Sequence, residues 1–336
     1  MKTRLCVVAA LAALVCGTAF AMDGLSYTGG SPTWPATQLN ANNYVDLANN
    51  YGVAGGNYVF GARTGSLDAI YYSSGWQTGS ISANTYGSLA QNGGAANWVF
   101  GARAGSLDEV VYNGASWDTI SLNTNTYASL ATNKSAANFI FGARAGSLDA
   151  IYFNGISWIT GSINNTTYSN IISNPMQTNS LYGIRSGGVE KWLYNAGTGL
   201  WGYETINANL YASITADNVV LNRLYGARAD GSGIDVMVKS AGVWSTTNIF
   251  GTTGYKALEA YGNASYAMFG ARADGSGLDV IYLDGTWKSY AANPNDYSVL
   301  LHDGVSTNLF ASVPEPATMA ILGLGGLLLA NRRKNA

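Results

Sequence analysis

Charge is scarce in this chain of 336 residues. Asp, Glu, Lys and Arg together make up 11% of it, against about 25% in an ordinary soluble domain. The formal net charge is −2, so the basic patch that nucleic acid demands is missing. The chain has one histidine, His302, which excludes a His-rich metal site and leaves little for a His-based triad. Its two cysteines, Cys6 and Cys16, both lie near the start, and no disulfide or thiolate chemistry is available beyond it. Glycine (42 residues) and tyrosine (22) are abundant, and 47% of the chain is hydrophobic. Disorder is therefore excluded, and the composition points to an all-β extracellular domain.

The two ends read as addresses. Lys2 and Arg4 precede an apolar run from Leu5 to Val15, and Ala19-Phe20-Ala21 supplies small residues for cleavage. Residues 1–21 are thus expected to be a secretory signal peptide, with Met22 opening the mature chain. The competing reading is a lipoprotein signal at Cys16, for which Val15 is a poor neighbour. At the other end, Pro314-Glu315-Pro316 precedes an apolar stretch (317–330) and then Arg332-Arg333-Lys334. The stretch is shorter than the ~20 residues of a membrane-spanning helix. Residues 314–336 resemble the PEP-CTERM sorting signal. That resemblance implies transient retention in the inner membrane and processing by an exosortase-type enzyme. It also implies delivery to the cell envelope, the cell surface or the extracellular, exopolysaccharide-rich matrix.

Residues 22–313 are an internal repeat. Phe60-Gly61-Ala62-Arg63 recurs at Phe100, Phe141, Tyr182, Tyr225 and Phe269, at offsets of 40, 41, 41, 43 and 44 residues. Each copy continues through a Gly/Ser turn, an apolar strand, a Trp, a Thr/Ser-rich run and a Tyr-x-x-Leu/Ile segment. Trp fills its position seven times, at 34, 76, 117, 158, 201, 244 and 287, and Tyr fills its own seven times, from Tyr44 to Tyr297. The FGAR segment has six full copies. Phe310-Ala311-Ser312-Val313 stands where the seventh is due, and Asp23-Gly24-Leu25 supplies the strand that follows it. Ends that complete each other predict a closed seven-bladed β-propeller of four-stranded blades. Strands are expected at Val59–Arg63, Leu67–Tyr72, Trp76–Ile81 and Tyr86–Leu89. The small Gly-Ala pair suggests that the first of these is innermost. The split blade is expected to take three strands from the N-terminus and one from the C-terminus.

The most regular polar feature is a cation and an acid flanking one turn. Arg63 precedes Asp68, Arg103 precedes Asp108, Arg144 precedes Asp149 and Arg185 precedes Glu190. Arg228 with Asp235 and Arg272 with Asp279 stand two residues further apart. A hairpin of this length brings the two side chains together, and an acid among apolar neighbours needs a partner. One structural ion pair per blade is the expectation. Val313 breaks the pattern, so Asp23 has no repeat arginine. The free α-amine of Met22, made by signal cleavage, is expected to supply that charge.

Trp76, Trp117, Trp158, Trp201, Trp244 and Trp287 admit two readings: wedges between blades, or platforms on which sugar rings stack. In the second, Arg63, Arg103 and Arg144 join them as ligand-binding residues in clefts between blades. Trp, Arg and acid in every blade loosely resemble fucose-binding and related propeller lectins, which implies a multivalent glycan-binding module. The alternatives are a purely structural or protein-interaction propeller, and a hydrolase or lyase with a site on one face. No catalytic constellation is present, so a non-enzyme is expected, without cofactor or metal, probing polysaccharide as a monomer. Asp230-Gly231-Ser232-Gly233-Ile234-Asp235 and Asp274 to Asp279 superficially resemble calcium loops. Each offers two carboxylates, against the 6–8 oxygens calcium takes, and they are expected to be glycine-rich turns. His302 is expected in a loop or at a strand end.

Overall fold

The computed structural model describes residues 22–26, 34–50, 58–134, 136–262, 264–302 and 308–313. The expected signal peptide and the segment 314–336 lie outside the described residues. The 28 described strands form seven four-stranded antiparallel sheets. Blade 2 shows the plan. Its strands are Ser88–Gln91, Trp98–Arg103, Ser106–Tyr112 and Trp117–Asn123, hydrogen-bonded in that order. Blade 1 spans 46–82, blade 3 129–164, blade 4 170–207, blade 5 211–249 and blade 6 255–293.

The fold is the expected seven-bladed propeller, with two corrections to its detail. Blade 7 orders its strands as Ala36–Asn40, Met22–Ser26, Asn308–Ser312, Val299–His302. Each terminus therefore contributes two strands, not three and one. Met22 to Ser26 pair residue by residue with Ser312 to Asn308, so the ring closes by a backbone ladder between the chain ends. The Tyr-x-x-Leu strand is the innermost, not the FGAR strand. Strands Asp46–Asn49, Ser88–Gln91, Ser129–Thr132 and their equivalents touch one another around the axis. The tyrosine that was expected to end one blade instead leads into the next.

The glycine of FGAR has a different cause from the one the sequence suggested. A Cβ on Gly61 would lie 2.4 Å from the Tyr44 ring, and one on Gly101 2.4 Å from the Tyr86 ring. The same tyrosine ring covers Gly142, Gly183, Gly226 and Gly270. The glycine is there so that an aromatic ring can lie directly on the second strand. In blade 7, Ala311 takes this place opposite Asp23.

Two kinds of contact between adjacent blades recur around the ring. On the outer side, each repeat Trp packs onto the FGAR aromatic of the blade before it. Trp117 meets Phe60 at 5.7 Å, Trp158 meets Phe100 at 5.3 Å, Trp201 meets Phe141 at 5.6 Å, and Trp76 meets Phe310 at 5.7 Å, all edge to face. Trp34 closes the circle against Phe269 at 4.9 Å. Such pairs contribute about 0.5–1.5 kcal/mol beyond their buried area. Nearer the axis, asparagines clamp successive blades. Asn50 Nδ2 donates to Asn97 Oδ1 at 2.8 Å, and Asn97 N donates back to Asn50 Oδ1 at 2.6 Å. Asn92 with Asn138 and Asn133 with Asn179 repeat the exchange. The receiving residues are left-handed, with φ of 57°, 56° and 53°, a conformation asparagine tolerates better than most.

Replacing Gly101 with Ala should cost about 1–3 kcal/mol, because the Tyr86 ring must move. Gly79 lies in an open strand with nothing within 4 Å, so Gly79→Ala should be neutral or slightly stabilising. Urea unfolding of the two variants checks the contrast. Equal losses would show that the ring does not rest on Gly101.

Candidate functional site

The repeat arginine and acid come together in six blades, on the propeller face that carries the turn between second and third strands. Arg63 Nε lies 2.7 Å from Asp68, and the same distance separates Arg103 from Asp108, Arg144 from Asp149 and Arg185 from Glu190. Arg228 lies 2.9 Å from Asp235, and Arg272 2.8 Å from Asp279. The acids are buried, whereas the arginine side chains stay about a third exposed, as Arg144 does at 35%. The cause is register. Asp68 pairs directly with Gly61, and Arg63 stands two residues further along that strand. Acid and arginine therefore share a face beside the ring that covers the glycine.

That ring supplies a third member. Tyr44 Oη donates to Asp68 at 3.0 Å, Tyr86 Oη to Asp108 at 2.9 Å and Tyr127 Oη to Asp149 at 3.0 Å. Burial pushes these hydroxyls up, to about 12 for Tyr127, so they stay protonated as donors. Ser66, Ser106 and Ser147 also donate to the acids. Asn42, Asn84, Asn209 and Asn295 bring a further N–H to the acid of their blade. Burial opposes ionisation of Asp235, but hydrogen bonds from Arg228, Tyr211, Asn248 and Asn209 hold its carboxyl below the usual range. The serines and asparagines were not singled out in the sequence, although an Asn-x-Tyr that recurs before five of the seven inner strands marks the asparagines.

Blade 7 keeps part of this cluster. Asp23 is 4% exposed and accepts from Tyr297 Oη at 2.8 Å and from Asn295 Nδ2 at 3.1 Å. Met22 is fully buried in its strand. The signal cleavage that would free its amine falls outside the described residues.

The tryptophans do not join the arginines. Asp68 pairs with Ser80, while Trp76 pairs with Tyr72, four residues along a strand that rises about 3.3 Å per residue. Trp76 and Asp68 are thus roughly 13 Å apart along the blade. The registers of Trp117 and Asp108 and of Trp158 and Asp149 are equivalent. The sugar-platform reading placed Trp, Arg and acid together in clefts between blades, but the register sets each Trp and the acid of its blade toward opposite ends of the blade. Trp76, Trp117, Trp158, Trp201, Trp244 and Trp287 are instead half-buried at the opposite rim.

At that rim each of four successive blades presents an aromatic pair at the turn between third and outer strands. Tyr72 lies 5.7 Å from Trp76, Tyr112 5.5 Å from Trp117, Phe153 5.8 Å from Trp158 and Tyr194 5.4 Å from Trp201. Tyr72, Tyr112 and Phe153 are exposed. Blades 5 and 6 place Lys239 and Leu283 against their Trp instead. Where blade 1 meets blade 7, Tyr72, Trp76 and Phe310 line a cleft of ≈270 Å³ together with Gly24, Thr37 and Asn308. Gly24 occupies the third-strand position filled elsewhere by Ala69, Glu109, Ala150, Lys191, Val236 and Val280.

The inner strands enclose a central cavity of ≈520 Å³ whose walls include Leu47, Leu89, Leu130, Ile171 and Ile214. Glu259 enters it as a half-buried acid where blades 1 to 3 carry alanine. Burial pushes its carboxyl from 4.5 to about 7, against a hydrogen bond from His302 N at 3.1 Å. His302 ends the inner strand of blade 7, and its ring is buried beside Tyr261 and Phe269. The two resembling calcium loops are turns in which Asp230 and Asp274 accept the N–H of Ser232 and Ser276, both at 2.9 Å.

Comparison with known proteins assigns one segment. Residues 312–334 match the PEP-CTERM protein-sorting motif, so this is an exported protein that passes through the membrane, and the motif implies processing by an exosortase. No curated protein shows significant sequence similarity to the chain. Among solved structures, Sqt1 of Chaetomium thermophilum, bound to the N-terminus of ribosomal protein L10, is 11% identical with a TM-score of 0.62. The match covers 88% of this chain and 95% of that one. The WD40 repeats of RRP9 match at 7% identity and a TM-score of 0.59, over 87% and 97% of the chains. A putative 6-phosphogluconolactonase from Bacteroides uniformis matches at 13% and 0.56, over 83% and 98%. At these identities the likeness is one of fold.

Two outcomes are expected. Arg144→Ala leaves the Asp149 carboxylate buried with only neutral donors, so it should destabilise the domain by about 3 kcal/mol. Asp149→Ala strands an arginine that water reaches, but orphans the Tyr127 and Ser147 hydroxyls, and should cost about 1–3 kcal/mol. Unchanged melting of both variants would remove the ion pair from the framework. Folded Glu259 binds its proton more tightly than the unfolded chain does, so its contribution to stability falls as pH rises from 4.5 to about 7. Glu259→Gln should flatten that part of the melting-temperature profile, and superimposable profiles would refute the assignment.

Proposed function

We propose that the protein is a non-catalytic glycan-binding module, held at the cell envelope or in the extracellular matrix after exosortase processing. The observation that carries this reading is the row of half-open aromatic pairs at one rim, repeated in four successive blades. An exposed ring offers a flat apolar face to the C–H side of a sugar. The outer strands beside it, such as Trp76–Ser82 and Trp158–Asn164, are rich in Thr, Ser, Gly and Asn and offer hydroxyls and amides to the sugar's polar edge. Repetition around the ring suits a polymer, since weak sites spaced along one chain add as avidity. The arginine clusters play no part in this reading, because they lie at the other face and their acids are already occupied.

A purely structural or protein-interaction role is the second reading. It is favoured by the edge-to-face seating of each Trp on the neighbouring blade, which gives that residue a framework task. Tyr112 and Phe153, beside their Trp, separate the two readings, because they are exposed. The 22–313 domain is expected to bind on a glycan array. The double variant Tyr112→Ala, Phe153→Ala should weaken that binding about tenfold or more with an unchanged melting temperature. Silence across the array would overturn the glycan reading in favour of the structural one.

A further inference from the structure

Blade 4 departs from its neighbours at the third-strand position that faces the next blade. Lys191 stands where blades 1 and 3 carry alanine and blades 5 and 6 carry valine. It is 6% exposed. Its ammonium donates to Gln177 Oε1 at 3.1 Å and to Asn222 Oδ1, on blade 5, at 2.7 Å. Both acceptors are neutral. A buried ammonium is ordinarily matched by an anion, and one is close at hand. Glu204 lies directly across the strand ladder from Lys191. Its two oxygens nevertheless go to Lys239 Nζ, each at 2.6 Å, and one of them also to Trp244 Nε1 at 3.0 Å. Two ammoniums thus share one carboxylate. Burial, reinforced by the positive charge of Lys239, lowers the Lys191 ammonium below its ordinary value, and Glu204 offsets this only in part.

Lys191 and Glu204 border a cavity of ≈540 Å³ whose walls also include Gln177, Asn195, Gly197 and Tyr203, within the range of about 300–1,000 Å³ usual for small-molecule sites. Tyr203 borders the cavity by its place on the outer strand only, because its ring stacks on Trp192 at 5.1 Å on the opposite face of the sheet from Lys191 and Glu204. The site therefore combines an under-compensated cation with the side-chain amides of Gln177 and Asn195. We infer that this cavity at the border of blades 4 and 5 is a subsite for a sugar bearing a negatively charged substituent, a carboxylate or a sulfate ester, whose charge pairs with Lys191. This rests on the glycan reading above and gives it a preference: neutral sugar along the aromatic rim, acidic sugar at this one border.

Calorimetric titration of the 22–313 domain tests it with four probes: trigalacturonate, its methyl ester, a sulfated galactose disaccharide and sodium sulfate. The expected result is that one acidic sugar binds at least about tenfold more tightly than the ester and the bare anion. In Lys191→Met it should weaken by a similar factor. Which acidic sugar binds identifies the substituent. Met has a similar length without the charge, so the melting temperature of this variant should hold or rise. Equal binding of acid and ester, equal binding by wild type and variant, or sodium sulfate binding as tightly as the sugars would each overturn the inference. No binding of either acidic sugar at millimolar concentration would overturn it as well. A neutral glycan from the array that binds wild type and Lys191→Met alike shows that the rim reading stands even when this subsite fails.

Discussion

The fold depends on one local arrangement: a tyrosine ring lying flat on a glycine, with its hydroxyl on a buried acid. Tyr86 covers Gly101 and reaches Asp108, which sits directly opposite that glycine in the ladder. Each member needs the others. Without glycine the ring has no room, without the ring the acid loses a donor, and without the arginine the acid is a buried charge with neutral partners only. The tyrosine leads into the innermost strand, glycine lies on the second and the acid on the third. The cluster therefore ties three strands of a blade at one face. A chain without cysteines beyond residue 16 holds its sheets by such clusters and by burial.

Between blades the contacts differ in kind with distance from the axis. Near the axis, asparagines in pairs exchange hydrogen bonds with a left-handed partner. Further out, Trp seats edge-on against the aromatic of the blade before. Both point the same way round the ring, so each blade is both host and guest. Blade 7 fits this series with strands from both chain ends, and the termini are locked by a five-residue ladder.

A ring of similar blades gains function where the blades differ. The framework positions repeat from blade to blade. The third-strand position facing the next blade does not, and runs from glycine through alanine and valine to glutamate and lysine. Glycine there accompanies the cleft at Gly24, and lysine accompanies the cavity beside Lys191. The inner strands vary in the same way, where one carboxylate, Glu259, enters a cavity walled largely by Leu and Ile. The outer rim with its aromatic pairs and the border of blades 4 and 5 are therefore the surfaces on which recognition is proposed.

The sequence by itself determined the number of blades, the four strands in each, the closure by both ends and the sorting address. These are matters of period and order, and the offsets of the FGAR segment carry them directly. It also marked Arg and acid as neighbours, because a short hairpin leaves them nowhere else to go. Tertiary structure alone decided which strand faces the axis, how the split blade divides and whether Trp and Arg share a cleft. A repeat has no intrinsic beginning, so the boundary between one blade and the next is invisible until the sheets are seen to pair. The glycine was legible as a crowded position, but the crowding comes from a tyrosine some 15 residues earlier in the chain, which spacing does not reveal. Glu204 reads in the sequence as an acid outside the repeat pairs and Lys191 carries no mark there, because a lysine becomes unusual only when a fold buries it and gives its natural partner to another residue.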